Sequence, residues 1–180
     1  MPSSPYLLVI TLVLLSGCGC TAGQSSGTTN AGDHYWVVRT DFSDDMQWKK
    51  VCRLISAPQK SGSDTFYAYV RHVNDQRYRD MQVHDLVLAL PDDYPGKILF
   101  VVDSQYLLHP EFPVLVIGFN QGSEVNRRLP REALSKDILS FRTLPSQIQA
   151  IENNLSISNM DFDEFSSHVD KNGVFRGFPQ

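Results

Sequence analysis

Lys97-Ile-Leu-Phe-Val-Val102 and Pro113-Val-Leu-Val-Ile-Gly-Phe119 are two nearly unbroken apolar runs separated by ten residues. Each has the length of a strand, and a run without polar alternation belongs to a strand covered on both faces. Ten intervening residues are too few for a usual parallel crossover. The second run is therefore expected antiparallel to the first or at a sheet edge.

Upstream, Met81, Val83, Leu86, Val87 and Leu90 form a helical stripe ended by Pro91, and Thr65–Val73 (TFYAYVRHV) reads as a strand. A helix over Asp45–Ser56 would bury Trp48, Val51, Cys52 and Ile55 and leave Lys49, Lys50 and Arg53 in water. Asp44-x-x-Gln47 resembles a capping box, and Asp44 and Asp45 suit the positive end of the helix dipole. Tyr35–Thr40 is β-branched and aromatic, a first strand. Downstream, Ser140–Thr143 reads as a last strand and Pro145–Asn154 as a helix with Ile148 and Ile151 inward. Asp161-x-x-Glu164 resembles a second capping box before a helix over Phe162–Val169, and Asn172-Gly173 reads as a turn. Strands alternating with helices spell a single layered α/β domain. Its expected centre is a mostly parallel sheet of about 4–5 strands flanked by helices.

The 180 residues carry a formal charge of −4, yet residues 1–32 contain no Asp, Glu, Lys or Arg. The remaining 148 residues are thus about 24% charged, ordinary for a globular domain and long enough for one core without disulfide staples. Mild acidity argues against nucleic-acid binding, which calls for a basic face.

Tyr6–Leu15 (YLLVITLVLL) is apolar apart from Thr11. It is too short to cross a bilayer as a helix but fits a secretory apolar region followed by small residues. Leu15-Ser16-Gly17-Cys18 resembles the lipobox of bacterial lipoproteins. That resemblance implies diacylglyceryl transfer to the Cys18 thiol and cleavage before it. Simple secretion and a chance match are the alternatives, and the opening MPSSPY lacks the usual basic residue. Each buried CH₂ contributes about 0.8 kcal/mol, so a multiply acylated cysteine holds a domain durably on a membrane. The organisation expected is a signal peptide over 1–17, a lipid-anchored Gly/Ser/Thr-rich tether over 18–34 and one α/β domain over 35–180. A tether of that composition reaches about 20 Å from the lipid. The localisation implied is the bacterial cell envelope, at the outer membrane in a diderm host because no Asp follows Cys18. Cys52 reads as a small core residue, and Cys20 and Cys52 as independent thiols rather than a bridge.

Asp41, Asp75 and Asp103 each follow a strand, and with Asp44 they are the candidate acidic ligands for Mg²⁺ or Ca²⁺ at the strand ends. The plainer reading gives them turn and cap roles, where Asp is common. The Asp41 and Asp161 segments lack the glycine and the twelfth-position Glu of an EF-hand. His34, His72, His84, His109 and His168 never fall at paired zinc spacing, and no P-loop or G-x-G-x-x-G occurs. Neither cofactor nor resident metal is expected. Arg127, Arg128 and Arg131 are offset by Glu124, Glu132 and Asp137, and Arg127–Leu139 reads as a polar insertion.

Val38-Arg-Thr-Asp-Phe-Ser-Asp-Asp45, the stretch Ile151-Glu-Asn-Asn-Leu-Ser-Ile-Ser-Asn-Met-Asp-Phe-Asp-Glu-Phe165 and the closing Gly173-Val-Phe-Arg-Gly-Phe178 resemble an uncharacterised bacterial family, a domain of unknown function. The residues carrying the resemblance are Arg39, Thr40, Asp41, Asn153, Asn154, Asn159 and Asp161. It implies no activity. Two expectations follow. The first is an envelope binding or interaction module, immunity-like in one form, held by lipid through Cys18 and meeting an unknown protein partner. The second is a small metal-assisted hydrolase built on the strand-end carboxylates.

Overall fold

The computed structural model describes residues 34–91, 94, 98–106, 109–119 and 138–179. The leader, Cys18, Cys20, the tether before His34 and the Arg127–Asp137 part of the insertion lie outside the described residues.

The central sheet has six strands: β1 (Tyr35–Arg39), β4 (Val70–Val73), β5 (Ile98–Val102), β6 (Val114–Phe119), β7 (Ile138–Thr143) and β8 (Val174–Phe175). Their spatial order is β4-β1-β5-β6-β7-β8. β1 pairs in parallel with β4 and β5, β7 with β8, while β5–β6 and β6–β7 are antiparallel. The short β5–β6 connection makes the antiparallel pair foreseen for it, with β6 inside the sheet rather than at its edge.

Period-two alternation sorts the strands onto two cores. Tyr35, Val37, Phe100, Val116 and Phe141 face helix α1 (Asp45–Ile55), which contributes Trp48, Val51, Cys52 and Ile55. Helices α3 (Ile148–Ser156) and α4 (Phe162–Ser166) complete that layer through Ile148, Ile151, Leu155, Phe162 and Phe165. Val38, Leu99, Val101 and Ile117 face the other way, onto Leu86 and Val87 of α2 (Val83–Ala89) with Tyr78, Leu90 and Tyr94. The crossover from β1 moves out to β4, and the crossover from β4 moves back past β1 to β5. Same-handed crossovers travelling in opposite directions put α1 and α2 on opposite faces.

The central sheet has six strands where four or five were expected, and two stretches of chain depart from the expected elements. Thr65–Val73 is not one strand. Gly62, at φ +60°, turns the chain so that β3 (Asp64–Phe66) folds back on β2 (Gln59–Ser61) as a separate two-stranded sheet. Tyr67–Tyr69 then lead into β4. At the other edge, β8 adds two residues where only a turn was read. Gly173, at φ +74°, and the Asp170 side chain, which accepts from the Asn172 and Val174 N–H groups, bring the chain beside β7. β7 itself begins at Ile138, inside the stretch read as insertion, because Gly118–Phe119 extend the pairing that far. α4 stops at Ser166 rather than Val169, since Val169 bridges Phe175 instead. Gly118 is required by packing: a Cβ there would lie 2.4 Å from the Phe162 ring.

Candidate functional site

The carboxyl ends of β1 and β5 adjoin where the two crossovers diverge, the place at which open α/β sheets form ligand crevices. The centre of this end is Arg39, the last residue of β1. Alternation places its side chain on the same face as Tyr35 and Val37, under α1, and it is only 1% exposed. Its Nε–H donates to the Asp41 carbonyl at 2.7 Å, and Nη1 donates to Asp45 Oδ1 at 2.7 Å and Asn74 Oδ1 at 3.2 Å. The guanidinium carbon lies 4.5 Å from the Phe42 ring centroid and 5.7 Å from that of Trp48. Arg79 covers Phe42 as well, at 5.0 Å. Among the described residues the buried Nη2 has no hydrogen-bond partner, a spare donor beside two aromatic rings.

Thr40 stitches this end together. Its N–H donates to the Val102 carbonyl at 3.0 Å, and its own carbonyl accepts from the Asp80 N–H at 3.0 Å. His72 on β4 lies edge-on to Trp48 at 6.1 Å between centroids, and burial pulls its pKa down, which favours the neutral ring.

Each strand-end carboxylate has a fixed orientation. Asp41 Oδ1 accepts from the Ser43 N–H at 2.8 Å, an Asx turn. Asp44 caps α1, accepting from the Met46 and Gln47 N–H groups at 2.8 and 3.0 Å. Asp75 caps the 3₁₀ turn Gln76–Tyr78 and pairs with Arg77, whose hydrogen bond holds the carboxyl below its usual range. Asp103 grips Arg142 of β7 with both oxygens, at 3.1 and 2.7 Å. The arrangement offers acceptors already committed to turns, caps and guanidinium groups. Among the described residues no group of three or more His, Cys, Asp or Glu side chains is placed to hold a metal ion.

The remaining motif residues lie elsewhere. Asn154 donates from its amide to the Ala150 carbonyl at 2.8 Å and accepts from the Asn159 side chain at 2.6 Å. The Asn153 carbonyl accepts from the Ile157 N–H. Asp161 starts α4, its N–H donating to Glu164 Oε2 at 2.7 Å. These four build the corner between α3 and α4, not the strand-end face.

Glu152 was missed by sequence reasoning. It is 5% exposed on α3, and its Oε2 accepts from the Tyr69 N–H at 3.2 Å. Burial raises its pKa to about 7, against a small opposing effect of that hydrogen bond. The neighbouring Tyr35 hydroxyl is raised too, by burial first and by Glu152 second. The signal was available: Glu152 follows Ile148 by four residues and precedes Leu155 by three, on the inward stripe. Glu152 stands at the amino ends of β1 and β4, remote along the strands from Arg39.

Fold and site together define an open α/β domain with a polar, ion-paired loop face at the carboxyl ends of its parallel strands. The family model for a domain of unknown function (DUF6924) matches residues 34–178, and the chain belongs to that family. This agrees with the kind of family its opening and closing motifs resemble. No curated protein and no solved structure matches the chain.

Proposed function

We propose that this protein is a lipid-anchored binding module of the bacterial cell envelope that presents its strand-end loop face to a protein partner. The observation that carries the reading is the fixed orientation of Asp41, Asp44, Asp75 and Asp103 at the strand ends. Side chains already held in one geometry lose little entropy on binding, which favours recognition of a complementary basic surface. The Leu15-Ser16-Gly17-Cys18 sequence and the charge-free stretch after it support attachment through acylated Cys18.

Two experiments test the two halves of this reading. Cys18→Ser should move the protein from the membrane to the soluble fraction and end its labelling with fatty acid. Unchanged fractionation and labelling would remove the anchor from the account. For the face, Asp41→Asn, Asp44→Asn and Asp75→Asn combined keep the turn and cap acceptors and discard three charges. A partner captured by the wild-type chain from its host's membranes should be lost by this variant while thermal melting is preserved. Equal capture by both would show that the face is not the recognition surface.

A further inference from the structure

At the amino ends of the parallel strands the surface is aromatic. Phe66, Tyr67 and Tyr69 are 42, 54 and 57% exposed, three large rings within four residues. They are presented, not merely loose. Ala68 between them packs on the core, and the Tyr69 N–H is held by Glu152 from beneath. On the sheet beside Tyr69, half-buried Trp36 packs against the second core, edge-on to Tyr94 at 5.3 Å and covered by the Arg71 guanidinium at 5.5 Å. Trp36 and Arg71 are cross-strand partners on β1 and β4. Lys60 on β2 adds a second cation, and Asp64 at the hairpin is the acidic neighbour.

The place where the preceding chain enters selects the occupant of this rim. His34 opens the described domain, and its ring lies 6.4 Å from that of Tyr69. We infer that the rim formed by Trp36, Phe66, Tyr67 and Tyr69 seats on the lipid–water interface of the membrane that holds the chain. This inference rests on the lipidation of Cys18 proposed above. Tyrosine and tryptophan, with apolar bodies and polar tips, are the side chains that settle at that interface. Arg71 and Lys60 suit anionic headgroups, with their stems along the apolar surface. A tether of this length and composition has an r.m.s. reach of about 20 Å, so a contact too weak to recruit a free domain suffices for a tethered one. The strand-end face at the opposite end of the sheet then points away from the membrane, toward a partner.

The test uses the full lipidated chain in phosphatidylcholine/phosphatidylglycerol vesicles. Amide exchange over residues 66–71 should slow relative to the Cys18→Ser chain in solution. Trp36 emission, isolated by Trp48→Phe, should fall as brominated lipid is added. Phe66→Ser, Tyr67→Ser and Tyr69→Ser combined should abolish both effects while the chain still floats with the vesicles. An acylated chain that floats without protection at 66–71 or loss of Trp36 emission overturns the rim contact alone. A wild-type chain that proves to carry no acyl group and stays off the vesicles overturns the anchor, and the rim with it. Protection of 66–71 that instead grows with protein concentration in lipid-free solution assigns the rim to a second copy of the chain, which also overturns the inference.

Discussion

The two ends of the parallel strands each bury one charged side chain, under opposite conditions. Arg39 at the carboxyl ends donates three hydrogen bonds, lies between two aromatic rings and reaches Asp45, whose side chain is 77% exposed. Glu152 at the amino ends has the Tyr69 N–H and, among the described residues, no cation paired with it. Arg39 is therefore met by partners where it is buried, whereas burial drives Glu152 toward the neutral form. Burial is tolerated when the geometry supplies partners, and is otherwise relieved by a proton.

Arg39→Ala should give the largest effect. Asp45 is exposed and can regain water, so little of the loss comes from an orphaned carboxylate. The lost stem, the emptied space between Phe42 and Trp48 and the broken hydrogen bonds together destabilise the fold by on the order of 2–4 kcal/mol. Urea unfolding followed by tryptophan fluorescence measures it. Arg39→Met restores apolar volume without charge, and if it matches the wild type the ionic half of the contrast contributes nothing to stability.

Glu152→Gln tests the other end. The Glu152 carboxyl shifts from 4.5 to about 7 on folding, so the folded chain binds more protons than the unfolded one between those values. Wild-type stability then falls as pH rises through that window and levels off above it. Gln keeps an acceptor for Tyr69 and removes the slope. At pH about 8 the variant should be the more stable by about 1–2 kcal/mol, a value discounted for solvent screening, with the difference closing at about pH 4. A wild-type profile that is flat from pH 4 to 8 would mean that Glu152 titrates in the ordinary carboxylate range despite its burial.

Arg176→Ala sharpens the contrast with a charge cluster at the surface. Arg176 holds both Glu111 oxygens, at 2.6 and 2.7 Å, and Asp170 at 2.7 Å. Its hydrogen bond lowers the Asp170 carboxyl to about 2. The stabilisation from this clamp is thus present above the ordinary carboxylate range and is lost only as pH falls toward 2. The variant should show a slight drop in Tm at low salt that disappears at high salt, because exposed pairs are screened. A large, salt-independent drop would place this cluster with the buried charges.

What the sequence made legible was local. The bounds of α1, its four inward residues and the Asp44 cap follow from spacing within one helix. The apolar runs at Ile98 and Val114 announce covered strands, and the ten residues between them leave antiparallel pairing or an edge position, of which the fold takes the first. What required the tertiary structure was not local. Thr65–Val73 is rich in aromatic and β-branched residues, as one strand would be, and only pairing with Gln59–Ser61 divides it. β8 is two residues long and exists because Asp170 and Gly173 deliver it to β7. Of the candidate site, Asp41 and Asp44 were readable as turn and cap residues. The burial of Arg39 was not, because a strand-end arginine ordinarily points to water.

The edges of the sheet carry a last consequence. An open edge is a template on which another chain can grow its own strand, and chains held side by side on one surface would meet at high local density. β8 offers such a visitor only two residues, bordered by the Arg176 clamp, and β4 offers four, with the charged Arg71 among them. Molecules crowded in this way have little ladder to share, so they can stand as neighbours without polymerising into a common sheet.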